Sequence, residues 1–243
     1  MNNTLTVSSI SKHFGGVYAL KNVSLSCEAG EIVGLIGPNG AGKTTLLNVI
    51  SAVYPADGGT VALDDRRIDG TSPREAALAG IARTFQNIRL FGHLTVRQNV
   101  EVSLATSRRH FRQRLNGMTA GSFLSELDLT SVAERKASTL PYGHQRRLEI
   151  ARALALVPEF LLLDEPAAGM LEGESQALIS AVRSVRDRAR CGMIVIDHDL
   201  RFIMEVCERI YVLHMGELIA QGSPAEVQQD PKVVEVYIGS ENG

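Results

Sequence analysis

Apolar and polar residues alternate over Leu5–Ile10 and again over Val23–Cys27, the period-two pattern of half-buried antiparallel strands. Glu31–Ile36 is a denser apolar run and predicts a strand covered on both faces. It enters a glycine-rich turn, and helical periodicity follows from about Gly42 to Ala52. Thr60–Leu63 reads as a strand returning after the Asp57-Gly58-Gly59 turn. From about Asn87 to Ser138 the apolar positions Val96, Val100, Phe123, Leu124 and Leu127 predict helices. Pro141 precedes a helix over about Gly143–Leu156, and Phe160–Leu163 is a second buried strand. Then come an amphipathic helix over Glu172–Arg188, a strand at Met193–Ile196 and a short helix over Arg201–Cys207. Ile210–His214 and Glu217–Gln221 form a hairpin about Met215-Gly216, and a last helix starts after Ser223-Pro224. Strands alternating with helices define an α/β class with a largely parallel sheet, and the early alternating strands add an antiparallel part. The chain reads as one domain, 1–243, with a core from 1–86 and 139–243 and an inserted helical subdomain at 87–138.

Composition narrows the function classes. The 243 residues are 44% hydrophobic, 21% charged and 5% aromatic, a globular profile long enough for a sizeable core. Lys and Arg total 25 against 27 Asp and Glu, and this lack of basic excess argues against a nucleic-acid partner. No apolar run approaches the ~20 residues that span a bilayer. Met1–Ile10 lacks the basic and apolar regions of a signal peptide, so the reading is a protein of the reducing cytosol. Cys27, Cys191 and Cys207 lack metal-like spacing and read as small buried hydrophobes. Arg108-Arg109-His110-Phe111-Arg112-Gln113-Arg114 is a basic cluster that reads as a solvated helix face or loop.

Two motifs carry chemistry. Gly37-Pro38-Asn39-Gly40-Ala41-Gly42-Lys43-Thr44, followed by Thr45, matches G-x-x-x-x-G-K-S/T between a strand and a helix. Its glycines let backbone N–H groups converge on phosphate oxygens, and the helix N-terminus adds positive potential. Lys43 then reaches the β- and γ-phosphates, and the Thr44 hydroxyl ligates magnesium. Phe160–Leu163 ends in Asp164 and Glu165. An Asp at such a strand end holds the magnesium shell, and the next carboxylate is placed to polarise the attacking water. The fold expected is a P-loop NTPase core with a mixed sheet, an antiparallel β subdomain and an inserted helical subdomain, holding a nucleotide phosphate and Mg2+.

Beyond these elements the chain resembles the nucleotide-binding subunit of ABC transporters over essentially its whole length. Leu140-Pro141-Tyr142-Gly143-His144-Gln145-Arg146-Arg147 is similar to the signature loop, with Tyr142 and Gly143 facing nucleotide. Gln86 resembles the Q-loop glutamine that touches magnesium and water, His198 the switch histidine on the γ-phosphate, and Phe14 the aromatic stacked on adenine. Pro166-Ala167-Ala168-Gly169-Met170-Leu171 occupies the D-loop. The resemblance makes the nucleotide ATP and implies an ATPase with Glu165, His198, Gln86 and Lys43 as catalytic residues and Thr44, Gln86 and Asp164 as metal ligands. It implies a second ATP-binding subunit, identical or homologous, integral membrane permease subunits, and an external substrate-binding protein acting through them. The place implied is the cytoplasmic side of the inner membrane.

Within the family the likeness is to the branched-chain amino acid and urea or amide importer branch. Its carriers are Gly80-Ile81-Ala82-Arg83-Thr84-Phe85-Gln86, Leu90-Phe91, Tyr142-Gly143, Pro166–Gly169 and the ending Val236-Tyr237-Ile238-Gly239. Lipopolysaccharide-export ATPases share part of this set. A soluble ABC ATPase acting on ribosomes or DNA fits neither the length nor the charge, and a small-molecule kinase leaves the signature loop unexplained. Two departures stand out: Pro141 replaces the signature serine, and Leu171 holds the D-loop aspartate position.

Overall fold

The computed structural model describes residues 3–239. Two long strands open the chain, β1 (Thr4–Phe14) and β2 (Val17–Glu28), joined across Gly15 and Gly16. They outrun the stretches that alternate cleanly because their register shifts near Ser9, whose φ is +53°. Such bulges break the period-two pattern without ending the strand. β3 (Ile32–Ile36) leads into α1 (Lys43–Ile50), after which β4 (Gly58–Leu63) and β5 (Arg66–Arg67) return antiparallel.

A short helix, α2 (Pro73–Ala79), and a three-residue strand, β6 (Ile81–Arg83), come next and were not expected from periodicity. Their local signal is a capping box, with Ser72 and Glu75 each accepting the other's backbone N–H and Pro73 in the first turn. Residues 87–95 are also not helical, contrary to the expectation of helix from Asn87. The reason is local: a second capping box, Thr95 with Gln98, starts α3 (Val96–His110) only at Val96. α4 (Arg112–Leu115) and α5 (Ala120–Glu126) follow, separated by Asn116 and Gly117 with positive φ. The chain continues through α6 (Tyr142–Leu154), β7 (Phe160–Asp164), α7 (Glu172–Ala189), β8 (Gly192–Ile196) and α8 (Leu200–Val206). It closes with β9 (Arg209–His214), β10 (Glu217–Gly222), α9 (Pro224–Gln229) and α10 (Pro231–Gly239).

The strands make two sheets. One is antiparallel, in the order β2-β1-β4-β5. The other runs β10-β9-β3-β8-β7-β6, parallel except for β10 at its edge. Strand alternation divides the core. Val33, Leu35, Leu162 and Ile194 face Leu46, Leu47 and Ile50 of α1 and the apolar side of the antiparallel sheet. Ile32, Ile36, Leu161, Leu163 and Val195 face the opposite way, toward α6, α7 and α8. Each fully buried Leu or Ile contributes about 1.5–3 kcal/mol, so α1 is held on the sheet by its inner face. The phosphate-binding turn at its start is thereby fixed. Cys27, Cys191 and Cys207 are free and buried, and burial pushes the Cys191 thiol up to about 12.

Candidate active site

β3 ends at Ile36, and the backbone then turns through Gly37, Pro38, Asn39, Gly40 and Ala41 to Gly42, the N-cap of α1. Two glycines are required by space as well as by torsion. A Cβ on Gly37 would stand 1.9 Å from the Leu213 carbonyl oxygen, and one on Gly42 would stand 2.4 Å from that of Ala19. The turn is therefore pressed against the β9 and β2 backbones and keeps its shape. Asn39, Gly40 and Thr44 are exposed, Thr45 is half-buried and Ala41 is buried. Lys43 Nζ donates to the carbonyl oxygens of Gly37 at 2.6 Å and Pro38 at 3.0 Å, so the ammonium is folded over its own loop. Burial lowers the Lys43 pKa, while the carboxylates of Glu165 and Asp164 oppose that shift.

The acid pair sits at the end of β7. Asp164 is buried, and its Oδ2 accepts from Arg83 at 2.7 Å. Arg83 also donates to Asn48 at 2.6 Å, which ties β6, β7 and α1 together beneath the loop. Glu165 has φ +52°, unusual for a side chain with a Cβ, and its N–H donates to the Ile196 carbonyl at 2.7 Å. That backbone aims its carboxylate out of the sheet. Gln86 Nε2 donates to Glu165 Oε2 at 3.1 Å, and His198 Nδ1 stands 3.3 Å from Glu165 Oε1. The structure thus brings together Lys43, Gln86, Asp164, Glu165 and His198 at the C-terminal ends of β3, β6, β7 and β8. Ligands of open α/β sheets bind at such strand ends.

The signature segment starts α6 with Pro141 as N-cap, one residue before the expected start. Tyr142 is 45% exposed, its hydroxyl accepts from Arg146 at 3.3 Å, and its ring leaves 3.3 Å for a Cβ on Gly169. A Cβ on Gly143 would meet Glu174 Oε1 at 2.4 Å, so α6 starts close against the Glu174 side chain in the first turn of α7, which a larger residue would displace. Leu171, the N-cap of α7, is 76% exposed. Phe14 is exposed at the end of β1, edge-on to Tyr54 at 5.4 Å. Among the described residues, no hydrogen bond or ion pair links Phe14, Tyr142 or Gly143 to Lys43 or Glu165.

Sequence reasoning passed over Arg83 and Asp197. Asp197 is buried and accepts from the N–H groups of Ala167 at 2.9 Å and Asp199 at 3.0 Å, fastening the D-loop to the end of β8. Its signal was an acid directly before His198 at the end of an apolar strand.

A constellation of this kind, a phosphate loop and an acid pair on a parallel sheet with a helical insertion, defines an ATP-hydrolysing cassette. The ABC transporter family model matches residues 20–168, and a "Branched-chain amino acid ATP-binding cassette transporter" model matches residues 217–242. The chain belongs to the ABC transporter ATP-binding family. It is 39% identical to the high-affinity branched-chain amino acid transport ATP-binding protein LivG of Salmonella typhimurium, over 97% of each chain. It is 35% identical to the lipopolysaccharide export system ATP-binding protein LptB of Escherichia coli, over 98% of each. Among solved structures, the ADP conformation of the cassette MJ1267 matches with TM-score 0.84 and 32% identity, over 98% of this chain and 99% of that one. A dimeric post-hydrolysis state of the cassette MJ0796, bound to ADP and Pi, matches with TM-score 0.77 and 28% identity, over 90% and 98%.

Proposed function

We propose that this ATPase powers an importer of branched-chain amino acids or related small amides, with Glu165 as the group that accepts a proton from the attacking water. The observation that carries the site is the Glu165 carboxylate held at both oxygens, by Gln86 at 3.1 Å and His198 at 3.3 Å. A base positioned this way needs no reorganisation when water arrives. The cargo reading rests on the likeness to LivG and on the match over residues 217–242, a segment that favours it over lipopolysaccharide export.

Lys43 leaves the Gly37 and Pro38 carbonyls and meets the β- and γ-phosphates, while the N–H groups of the loop and of α1 hold the remaining oxygens. His198 donates toward the γ-phosphate. Phe14, exposed on the antiparallel sheet, offers its face to adenine. Mg2+ suits the donors present. Asp164 uses Oδ2 for Arg83 and leaves Oδ1 available, Thr44 is exposed, and the Gln86 amide oxygen is available while its nitrogen serves Glu165. Magnesium takes one or two carboxylates with phosphate and water rather than a protein cage. When bound, the ion neutralises charge building on the phosphates.

Two such subunits, identical or homologous, close head to tail, so that Tyr142, Gly143 and the N-terminus of α6 meet the nucleotide of the partner. The helices of 87–138 form a subdomain that rides on the core. No helix among the described residues is long and apolar enough to cross a membrane. By its likeness to transport ATP-binding proteins, the chain docks on integral permease subunits at the cytoplasmic face of the inner membrane. An external binding protein selects the cargo. Glu165→Gln keeps the shape but cannot take the proton. Hydrolysis should fall at least about a hundredfold while ATP still binds. Native turnover in that variant would refute the assignment of the base.

A further inference from the structure

Arg146 lies one turn into α6 and is 1% exposed, among the largest fully buried side chains of the molecule. It does not pack against apolar neighbours alone. Its Nη1 donates to the Phe85 carbonyl at 2.7 Å and to Glu149 Oε2 at 2.8 Å, and its Nη2 donates to the Gln86 carbonyl at 2.9 Å. Glu149, 5% exposed, accepts at its other oxygen from the N–H groups of Phe85 and Arg89, both at 3.4 Å. The pair therefore grips the backbone on both sides of Gln86, whose side chain ends on Glu165.

Removing an arginine and a glutamate from water is costly, and well-packed apolar residues would usually stabilise such a site as well or better. Nε of Arg146 is buried without a partner, and burial pushes the Glu149 carboxyl up against the pull of Arg146, so the pair is not optimised for stability. What the pair provides is geometry. A planar guanidinium donating to two successive carbonyls and a carboxylate fixes the loop in one orientation, as a lysine cannot. Residues 87–95 have no helix or strand of their own to do this.

We infer that Arg146, with Glu149, is a positioning residue of the ATPase site. It clamps the loop from the signature helix so that the Gln86 amide is held on Glu165, and it makes the placement of the base depend on the placement of α6 in the same subunit. The inference rests on the proposed role of Glu165. Because α6 also begins with the segment that meets the partner's nucleotide, a shift of α6 on closure would be felt at Glu165 through two carbonyl contacts.

The test is a double-mutant cycle on the full chain, reading kcat and KM for ATP. Arg146→Met combined with Glu149→Leu removes both charges at similar volume and is expected to fold. KM should stay within about twofold while kcat falls about tenfold or more, because misplacement acts on the chemical step. Gln86→Ala should cost about tenfold in the native chain and under about twofold in the clamp variant, since the clamp acts only through Gln86. Native kcat in the clamp variant, or an equal loss from Gln86→Ala in both backgrounds, overturns the inference. Should the double variant not fold, Arg146→Lys keeps a charge for Glu149 but cannot serve both carbonyls, and the same kcat loss and non-additivity are expected of it. Glu165→Gln is run beside them. If it retains native turnover the reading of the base fails, whereas additive losses with an inactive Glu165→Gln sink only the clamp.

Discussion

Lys43 is the side chain that the proposed function asks to exchange its partners for phosphate. It rests on two carbonyls of its own loop, burial lowers its pKa, and two carboxylates hold it charged. Lys43→Ala leaves phosphate charge without its main side-chain partner. Hydrolysis should drop about a hundredfold or more and ATP binding should weaken, with the melting temperature unchanged to within a few degrees. Turnover assays with thermal melts would check this. Glu126 carries a different residue-scale prediction. Its side chain is 17% exposed, its ion pair with Arg188 is loose at 3.7 Å, and burial raises its pKa above the ordinary 4.5. The folded state then binds the proton more readily than the unfolded one, so stability falls as pH rises from the unfolded value through the folded one. Glu126→Gln should therefore be more stable than the native chain at pH 7, and the gain should vanish as the pH drops below about 4.5. Urea melts at both pH values decide it. A gain that persisted in acid would show that ionisation is not the cause.

Among the elements, α7 starts without a side-chain acceptor at its N-cap. Its N-cap is Leu171, which has no acceptor, and only the Glu174 carboxylate reaches back to the Leu171 N–H, at 3.1 Å. Leu171→Asn adds an acceptor without adding charge beside Glu172 and Glu174, and should stabilise by about 1 kcal/mol. For a chain of this size that raises the melting temperature by about 2–4 °C. A lower value by calorimetry would mean that the exposed leucine stabilises the fold in some other way. Elements were legible where period and cap agreed. The runs Glu31–Ile36, Phe160–Leu163 and Met193–Ile196 became β3, β7 and β8 because an apolar run this short, bounded by turn residues, suits a strand covered on both faces better than a helix. β6 escaped notice because three residues carry no period, and it exists through parallel pairing of Ile81 with Phe160 and Ala82 with Leu161. The strand that positions Arg83 and begins the approach to Gln86 is thus specified by a partner nearly eighty positions away.

At the scale of the whole molecule, the proposed dimer places the second subunit against the exposed Tyr142 at the start of α6, Leu171 and His198. Pro141 at the head of α6 supplies neither a hydroxyl nor an N–H to a partner's γ-phosphate. A hydrogen bond to a charged group contributes about 1.5–3 kcal/mol, and solvent at a seam favours the low end. In the Glu165→Gln background, Pro141→Ser should tighten ATP-dependent dimerisation by up to about tenfold, measured by sedimentation with magnesium and ATP. Unchanged or weaker association would show that Gly143 and the helix N-terminus suffice. The sequence by itself determined the parallel core, the phosphate loop and the acid pair. Each depends on neighbours within a few positions: a glycine where the chain must turn, a carboxylate where a buried strand ends. Only the tertiary structure decided which distant groups hold that chemistry in place. Arg83 on Asp164, Asp197 on the D-loop and Arg146 with Glu149 around Gln86 are pairings across 30 to 81 positions. A buried polar group must find a partner wherever packing delivers one, and no local pattern records which residue that will be.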